Sequence, residues 1–463
     1  MGKLEEILKH PDELLPLFSM YMAAKRAQVL PQEPSLRFCY DMLNRVSRSF
    51  AVVIQQLPER LRDAVCVFYL VLRALDTVED DMAISDDIKI PLLRCFHEKS
   101  HDKTWNMECG YGPYIDLMKQ YPLVTTVFQG LDHEYQRVIE DICKRMGNGM
   151  ADFITTEVKT VEEYNLYCHY VAGLVGVGLS QLFASSDLEN KTFFKNEELS
   201  NNMGLFLQKT NIIRDYLEDI NEEPAPRMFW PKEIWGQYVR RLVDLKSGRH
   251  AEDAVACLNH MILDALSHAE ECLTYMSRLK NRDIFRFCAI PQVMAMGTLA
   301  VCFNNHKVFE GVVKMRRGET AKVFWNMDDF SDACGMFVYY SRIISATAQG
   351  QAGNDPHIGE ILEVCDRIEG TAVQHLTTLG KAEARSLHLD STLKIPLPAR
   401  LFMVIMAAIY AAYAWQIEEV RSMMGLPNRG GRSNGIDTIH QLMAGVLLSY
   451  AVVVLVTGRR LAN

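Results

Sequence analysis

The hydrophobic positions set the fold class. Apolar residues recur at three- and four-residue spacing in "FCYDMLNRVSRSFAVVIQQL", "YQRVIEDICKRMGNGMADFI" and "AVACLNHMILDALSHAEECLTYMSRL". That period lines up one face of an α-helix. Period-two runs and Asn-Gly hairpin signals are nearly absent. Most of residues 33–317 therefore reads as helix. Breaks are expected at Pro58, at Ser85 to Asp87, at Cys109 to Pro113 and at Glu222 to Arg227, where proline, glycine or acid clusters interrupt the period. A weaker helical region follows over about 324–379, split by "AQGQAGNDPH". The expectation is an all-α domain of many packed helices over 33–384, after an N-terminal segment 1–32.

The pattern changes at the far end. A tether over 385–400 precedes a region, 401–463, with two uncharged apolar runs at 401–415 and 439–458. The second approaches the roughly 20 residues that span a bilayer as a helix. Neither run has a polar stripe, so membrane anchorage is expected, with one or both runs spanning. Arg421, Arg429 and Arg432 lie between the runs, and Arg459 and Arg460 lie after them. Positive charge on both sides gives no clean orientation. The N-terminus, "MGKLEEILKHPDELLP", lacks an apolar h-region and is not a signal peptide.

Composition narrows the partners. The 463-residue chain is 49% hydrophobic, enough for a substantial core, and carries a formal charge of −9. That charge disfavours a general nucleic-acid binder. The 12 cysteines are scattered, with no C-x-x-C, and read as reduced, mostly buried thiols on the cytosolic side.

Charge placement carries the chemistry. "DTVED" (Asp76, Glu79, Asp80) recurs as "DYLED" (Asp215, Glu218, Asp219). On a helix, positions i, i+3 and i+4 share a face, so each motif stacks three carboxylates that repel one another. Each follows an apolar run and has an arginine nearby, Arg73 or Arg214. All-oxygen donors favour a hard cation, and magnesium binds through few carboxylates plus substrate phosphates. The pair predicts magnesium ions bridging a diphosphate, with a greasy tail among the apolar helices. His169 reads as a packed or capping histidine rather than a ligand. Asp81, one step off the shared face, either supports the metal shell or faces water. No P-loop is present, and "GLVGVG" (Gly173 to Gly178) is no dinucleotide fingerprint. Its small residues either let helices approach closely or leave room for a chain-like ligand.

In order, "VSRSFAVVIQQL", "FYLVLRALDTVEDDM", "RMGNGMADF", "YCHYVAGLVGVGLSQLF", "MGLFLQKTNIIRDYLEDI", "FWPKEIW", "FCAIPQVMA" and "VKMRRG" resemble the squalene synthase family. The resemblance implies an isoprenoid-synthase helical bundle with a central cavity. It implies that two farnesyl diphosphates condense head-to-head to presqualene diphosphate. Magnesium-dependent ionisation, rearrangement and NADPH reduction to squalene would follow, the first committed step of sterol biosynthesis. It assigns metal binding to Asp76, Asp80, Asp215 and Asp219, with Glu79 and Glu218 in support. It gives diphosphate contacts to Arg48, Arg73, Arg214 and Arg227, and further polar pocket positions to Ser47, Tyr69, Gln208 and Asn211. Tyr167 would remove a proton or steady the cation in the first half-reaction, unless it is an ordinary buried tyrosine. Phe287 would serve the second half-reaction. Lys314 and Arg316 would contact NADPH, with Arg317 beside them; the other reading is a basic patch facing acidic lipid headgroups. The resemblance further implies a monomer at the endoplasmic reticulum membrane, its catalytic domain in the cytosol, held by C-terminal helices. The alternatives are a phytoene-synthase-like enzyme, a paralogue that stops at presqualene diphosphate or makes another C30 product, and a membrane-anchored helical scaffold with decayed acid motifs.

Overall fold

Every regular element among the described residues is helical. The computed structural model describes residues 10–47, 49–191, 196–223, 226–350 and 355–378. The two C-terminal apolar runs, the tether and Arg48 lie outside the described residues. The described residues from Pro16 onward form one compact unit.

Six helices supply most of the walls of the central cavity, and Phe50, Ile54 and Tyr275 come from two others, Ser49–Ile54 and Ala269–Met276. The first, α1, is Glu59–Asp80. It starts directly after Pro58, where the missing N–H costs a helix nothing, and Glu59 lies in the first turn, where a negative charge is favoured. Fourteen of its residues are buried, from Leu61 to Glu79, so it is a core helix rather than a half-solvated one. Each large apolar side chain so buried contributes about 1.5–3 kcal/mol. The helix stops at Asp81, which adopts extended backbone. Its carboxylate accepts N–H bonds from Ala83 at 2.8 Å and from Gly110 at 2.7 Å. Asp81 thus ties the end of α1 to the 109–113 loop, a role that neither sequence alternative foresaw.

Helix α2 is His133–Phe153, and α3 is Val161–Cys168. A capping box starts α3. Thr160 Oγ1 accepts from Glu163 N–H at 3.1 Å, and Glu163 Oε2 accepts from Thr160 N–H at 3.0 Å. A π-helical turn, His169–Gly173, then leads into α4, Leu174–Ser185. Such turns insert an extra residue and re-aim the side chains around them. His169 Nδ1 bonds Asn201 Oδ1 at 2.7 Å, in keeping with a packed histidine.

Helix α5, Glu197–Arg214, packs against this turn. Here the glycines explain themselves. A Cβ on Gly176 would stand 2.2 Å from the Ser200 carbonyl oxygen, and one on Gly204 would stand 2.1 Å from that of Ala172. Backbone approaches backbone, as the first reading of "GLVGVG" requires. Gly176 also lines the cavity, so the second reading holds there as well.

Helix α6, Arg282–Cys302, is capped by Asn281, whose side chain accepts from the Asp283 and Ile284 N–H groups. The stretch Val161–Ser185 and α6 are each long and apolar enough to cross a membrane, yet 50% and 72% of their most apolar windows are buried inside the protein. They are apolar on more than one side because one face meets the core and another meets the cavity. The expected break in the last region also appears, between the helices Phe330–Gly350 and Ile358–Thr378. None of the twelve cysteines forms a disulfide, and eleven are buried.

Candidate active site

Two compartments meet between α1, α2, the π-turn and α5. The larger has a cavity volume of about 260 Å³ and is mainly apolar. Phe50, Phe68, Leu72, Leu179, Phe183 and Phe287 line it, with the aromatic rings of Tyr69 and Tyr275. The smaller, about 230 Å³, is polar. Asp76, Glu79, Asp80, Asp215 and Asp219 line it, facing Arg73 and Arg227. Arg73, Asp76, Val171, Gln208 and Asn211 border both. An acidic chamber therefore opens onto a greasy one through a shared wall.

Helical geometry places the first acid motif. Asp76 and Asp80 are one turn apart at the C-terminal end of α1, and Glu79 is buried beside them. Burial and the Asp80 charge push the Asp76 carboxyl up to about 6, against the pull of Arg73 and Arg227. Burial also raises Glu79, opposed first by Arg227. Arg227 spans the motif, with Nη2 on Glu79 Oε1 at 3.0 Å and Nη1 on Asp80 Oδ1. Arg73 Nη1 lies 3.4 Å from Asp76 Oδ2. Its guanidinium sits 5.7 Å from the Tyr69 ring centre and 5.8 Å from that of Tyr114, while its Nε is buried without a hydrogen-bond partner.

The second motif is not a copy of the first. The α-helix breaks at Asp215 and resumes as Tyr216–Ile220. The three acids therefore do not share the unbroken stripe that the i, i+3, i+4 spacing predicts. Asp215 and Asp219 still line the polar compartment, and the Asp219 N–H still donates to the Asp215 carbonyl at 3.0 Å. Glu218 is exposed and is not among the lining residues. Arg214 turns to its neighbour instead, donating from Nε to Asp215 Oδ1 at 2.7 Å and from Nη2 to Oδ2 at 2.5 Å. Burial, with Asp215 adding to it, pushes Asp219 up to about 7.

Tyr167 is buried at the rim of this chamber, its ring stacked on Phe229 at 4.1 Å and 9°. Arg227 covers the same Phe229 ring at 5.5 Å. Burial first, and the Glu79 charge second, hold the Tyr167 phenol far above its ordinary range, so it stays protonated. Phe287 stands in the apolar compartment, edge-on to Phe183 at 6.0 Å.

Other predicted positions stand apart. The Ser47 hydroxyl donates to the Leu43 carbonyl at 2.7 Å and borders neither compartment. Lys314, Arg316 and Arg317 are exposed in and just after an extended segment, with Met315 buried between them, and they too border neither compartment. Two residues at the site went unread. Phe229 opens the "FWPKEIW" motif, but its stacking partner lies 62 positions earlier. Lys89 is 3% exposed and donates from Nζ to the Glu79 carbonyl at 2.8 Å, capping the acid-bearing end of α1. Its setting between Ile88 and Ile90 was the available signal.

The arrangement is suited to a cation. Five carboxyl groups line one chamber, two arginines offset them only in part, and all the donors are oxygen. Among the described residues, no three acids, histidines or cysteines are gathered into a ready coordination shell. The donors therefore suit ions whose remaining ligands come from water or phosphate.

Comparison with known proteins fits this geometry. Residues 43–319 match the model of the squalene/phytoene synthase family. Squalene synthase LSS of Botryococcus braunii is 58% identical over 369 residues, 80% of this chain and 80% of that protein. Lycopaoctaene synthase of the same organism is 51% identical over 416 residues, 89% of this chain and 92% of that one. A solved complex of TcSQS with the ligand E5700 superposes with a TM-score of 0.72 at 48% identity, covering 74% of this chain and 99% of that one. The chain belongs to the squalene/phytoene synthase family, on its squalene synthase branch.

Proposed function

We propose that this protein joins two farnesyl diphosphates head-to-head into presqualene diphosphate and then reduces that intermediate to squalene. The observation that carries the reading is the shared wall between the two compartments. A molecule with an anionic head and a C15 tail fits across it, head among Arg73, Arg227 and the acids, tail among the aromatics.

Asp76, Asp80, Asp215 and Asp219 would hold magnesium, with Glu79 beside them and Glu218 at the exposed edge. When bound, magnesium neutralises the diphosphate leaving group. The chain's own cations contribute to the same neutralisation. Arg73 and Arg227 do so from the polar chamber, with Arg214 and Arg48 as further candidates. Gln208 and Asn211, on both walls, orient the head relative to the tail. The first step breaks a C–O bond at one farnesyl C1, bonds that carbon to the double bond of the second farnesyl, and loses a proton as the cyclopropane closes. The protonated Tyr167 suits steadying the positive charge more than acting as a preformed base. Tyr69 completes the wall of the apolar compartment in this reading, and Ser47, which borders neither compartment, supports the substrate pockets from outside them. The aromatic wall around Phe287 excludes water from the second ionisation.

NADPH supplies the reducing equivalents of the second step. Lys314 and Arg316, with Arg317, are the residues that would hold its phosphates, since three cations within four residues match a polyphosphate in charge. We further infer that the catalytic unit faces the cytosol at the endoplasmic reticulum membrane, works as a monomer, and is anchored through its C-terminal apolar runs.

A second reading has one observation behind it. A relative named lycopaoctaene synthase is 51% identical, so the fold alone does not fix the product. Incubation with labelled farnesyl diphosphate and magnesium, with and without NADPH, tests the proposal. Labelled presqualene diphosphate without NADPH, and squalene with it, are expected. A product that ignores NADPH would reject the reductive step.

A further inference from the structure

The loop 109–113, read in the sequence as a break between helices, is tied to the acid-bearing end of α1. Gly110 adopts φ +82°, in the left-handed region that favours glycine. Its N–H donates to Asp81 Oδ2 at 2.7 Å, and a Cβ there would stand 2.5 Å from Thr77 Cγ2 on α1. The loop so anchored delivers Tyr114 to the first turn of the short helix Pro113–Lys119. Asp116 of that helix pairs with Arg45 Nη2 at 2.5 Å, which holds it to the helix Pro34–Ser47. Tyr114 is half-buried and lines neither compartment. It reaches the site through Arg73. The Arg73 guanidinium lies over the Tyr114 ring, 5.8 Å from its centre, as it lies over the Tyr69 ring at 5.7 Å.

Arg73 needs such support. Its Nη1 stands 3.4 Å from Asp76 Oδ2 and its Nε is buried without a hydrogen-bond partner, so neither nitrogen fixes the group by a short hydrogen bond. Arginine has a long, rotamer-rich stem, and holding its head with protein acceptors would use up the donors that an anion requires. Ring faces attract the cation through their quadrupole and leave its donors free. Arg73 borders both compartments, so its position decides where a phosphate oxygen sits relative to the apolar chamber. We propose that Tyr114 is a positioning residue for the diphosphate. Its ring holds the Arg73 guanidinium at the wall between the compartments, oriented to receive the leaving group. The ring face does this, and the hydroxyl does not. Asp81 and Gly110 keep the loop, and with it the ring, against α1. An acid that lines neither compartment thus follows the metal motif because it fastens the loop that steadies Arg73. The proposal rests on the reading of the function given above.

The test uses the full chain in detergent micelles. Binding of inorganic diphosphate with magnesium is followed by isothermal titration calorimetry up to millimolar ligand, beside steady-state turnover of farnesyl diphosphate and thermal unfolding. Tyr114→Leu should weaken diphosphate binding about tenfold and raise KM for farnesyl diphosphate by a similar factor, the effect of losing one cation–ring contact. Tyr114→Phe, which keeps the ring, should stay within about twofold of the parent. In an Arg73→Met background, where the ring has no cation to hold, Tyr114→Leu should change diphosphate affinity by less than about twofold. A merely structural tyrosine would lower the melting temperature and leave diphosphate affinity unchanged, or would cost the same affinity with and without Arg73. Either result overturns the proposal, as does an equal loss in Tyr114→Leu and Tyr114→Phe. Should Tyr114→Leu fail to fold, Tyr114→Met is read the same way. A parent protein that binds no diphosphate in the presence of magnesium removes the functional reading itself, whereas a parent that binds it no better than Tyr114→Leu removes this proposal alone.

Discussion

Arg227 and Asp219 show how individual side chains set the conditions for chemistry. Arg227 bridges Glu79 and Asp80 with the two arms of one guanidinium, and its face lies on Phe229. Arg227→Lys keeps the charge but loses both the fork and the planar contact. Turnover should fall about 10²–10³-fold, the range seen when one charge-stabilising donor is removed, and steady-state assays with farnesyl diphosphate check it. Asp80→Ala and Asp219→Ala should abolish both half-reactions while far-ultraviolet circular dichroism stays helical. Normal turnover in either variant would remove the metal assignment.

Asp219 also makes a pH prediction. Its folded-state value, about 7, lies above that of an unfolded aspartate, about 3.9. The folded protein therefore binds the proton more tightly than the unfolded chain, and this stabilisation is full below about pH 4 and lost as pH rises through 7. Asp76, raised to about 6, acts in the same direction. Metal-free protein should melt at lower temperature at about pH 7.5 than at about pH 5.5, and Asp219→Asn should flatten that difference. Magnesium with inorganic diphosphate should restore stability at the higher pH. Differential scanning calorimetry across the pH range decides it.

At the scale of elements, the three- and four-residue spacing of apolar positions was a sufficient guide to helices. Pro58 and Ser85 mark real starts, since α1 begins at Glu59 and the next helix at Asp86. The two acid motifs were legible as a pair because a chain rarely repeats D-x-x-E-D after apolar runs. Spacing could not show that the second motif is broken at Asp215, because a kink depends on what packs beneath it. Nor could it show Phe229 over Tyr167, a contact made only when distant segments meet. The π-turn was hidden for the same reason, as "HYVAG" has no local signature. The glycine contacts are testable at this scale. Gly176→Ala drives a methyl group into the Ser200 carbonyl. It should cost about 1–3 kcal/mol of stability as α4 and α5 are forced apart, measurable by urea unfolding.

At the scale of the whole molecule, the two helical stretches among the described residues that are long and apolar enough to cross a membrane both line the cavity. Apolar length alone therefore misleads where a helix meets a packed core on one face and an apolar cavity on another. The tether expected over 385–400 lies outside the described residues. A chain truncated after Leu387 should keep turnover in detergent close to that of the full chain, yet fail to sediment with lipid vesicles. Loss of turnover on truncation, measured alongside circular dichroism, would show that the segment beyond Leu387 contributes to the site.

The wall common to the two compartments also bears on inhibition. A small bisphosphonate would occupy only the acidic side, with metal ions present, and a lipophilic amine only the aromatic side. Each would bind modestly by itself. Joined by a short linker past Gln208 and Asn211, the second fragment would meet its subsite at a high effective concentration set by the tether. The affinity of the joined molecule should then exceed that of either fragment by far more than the added contacts suggest. It should also depend on magnesium, because one half of the molecule cannot seat without it.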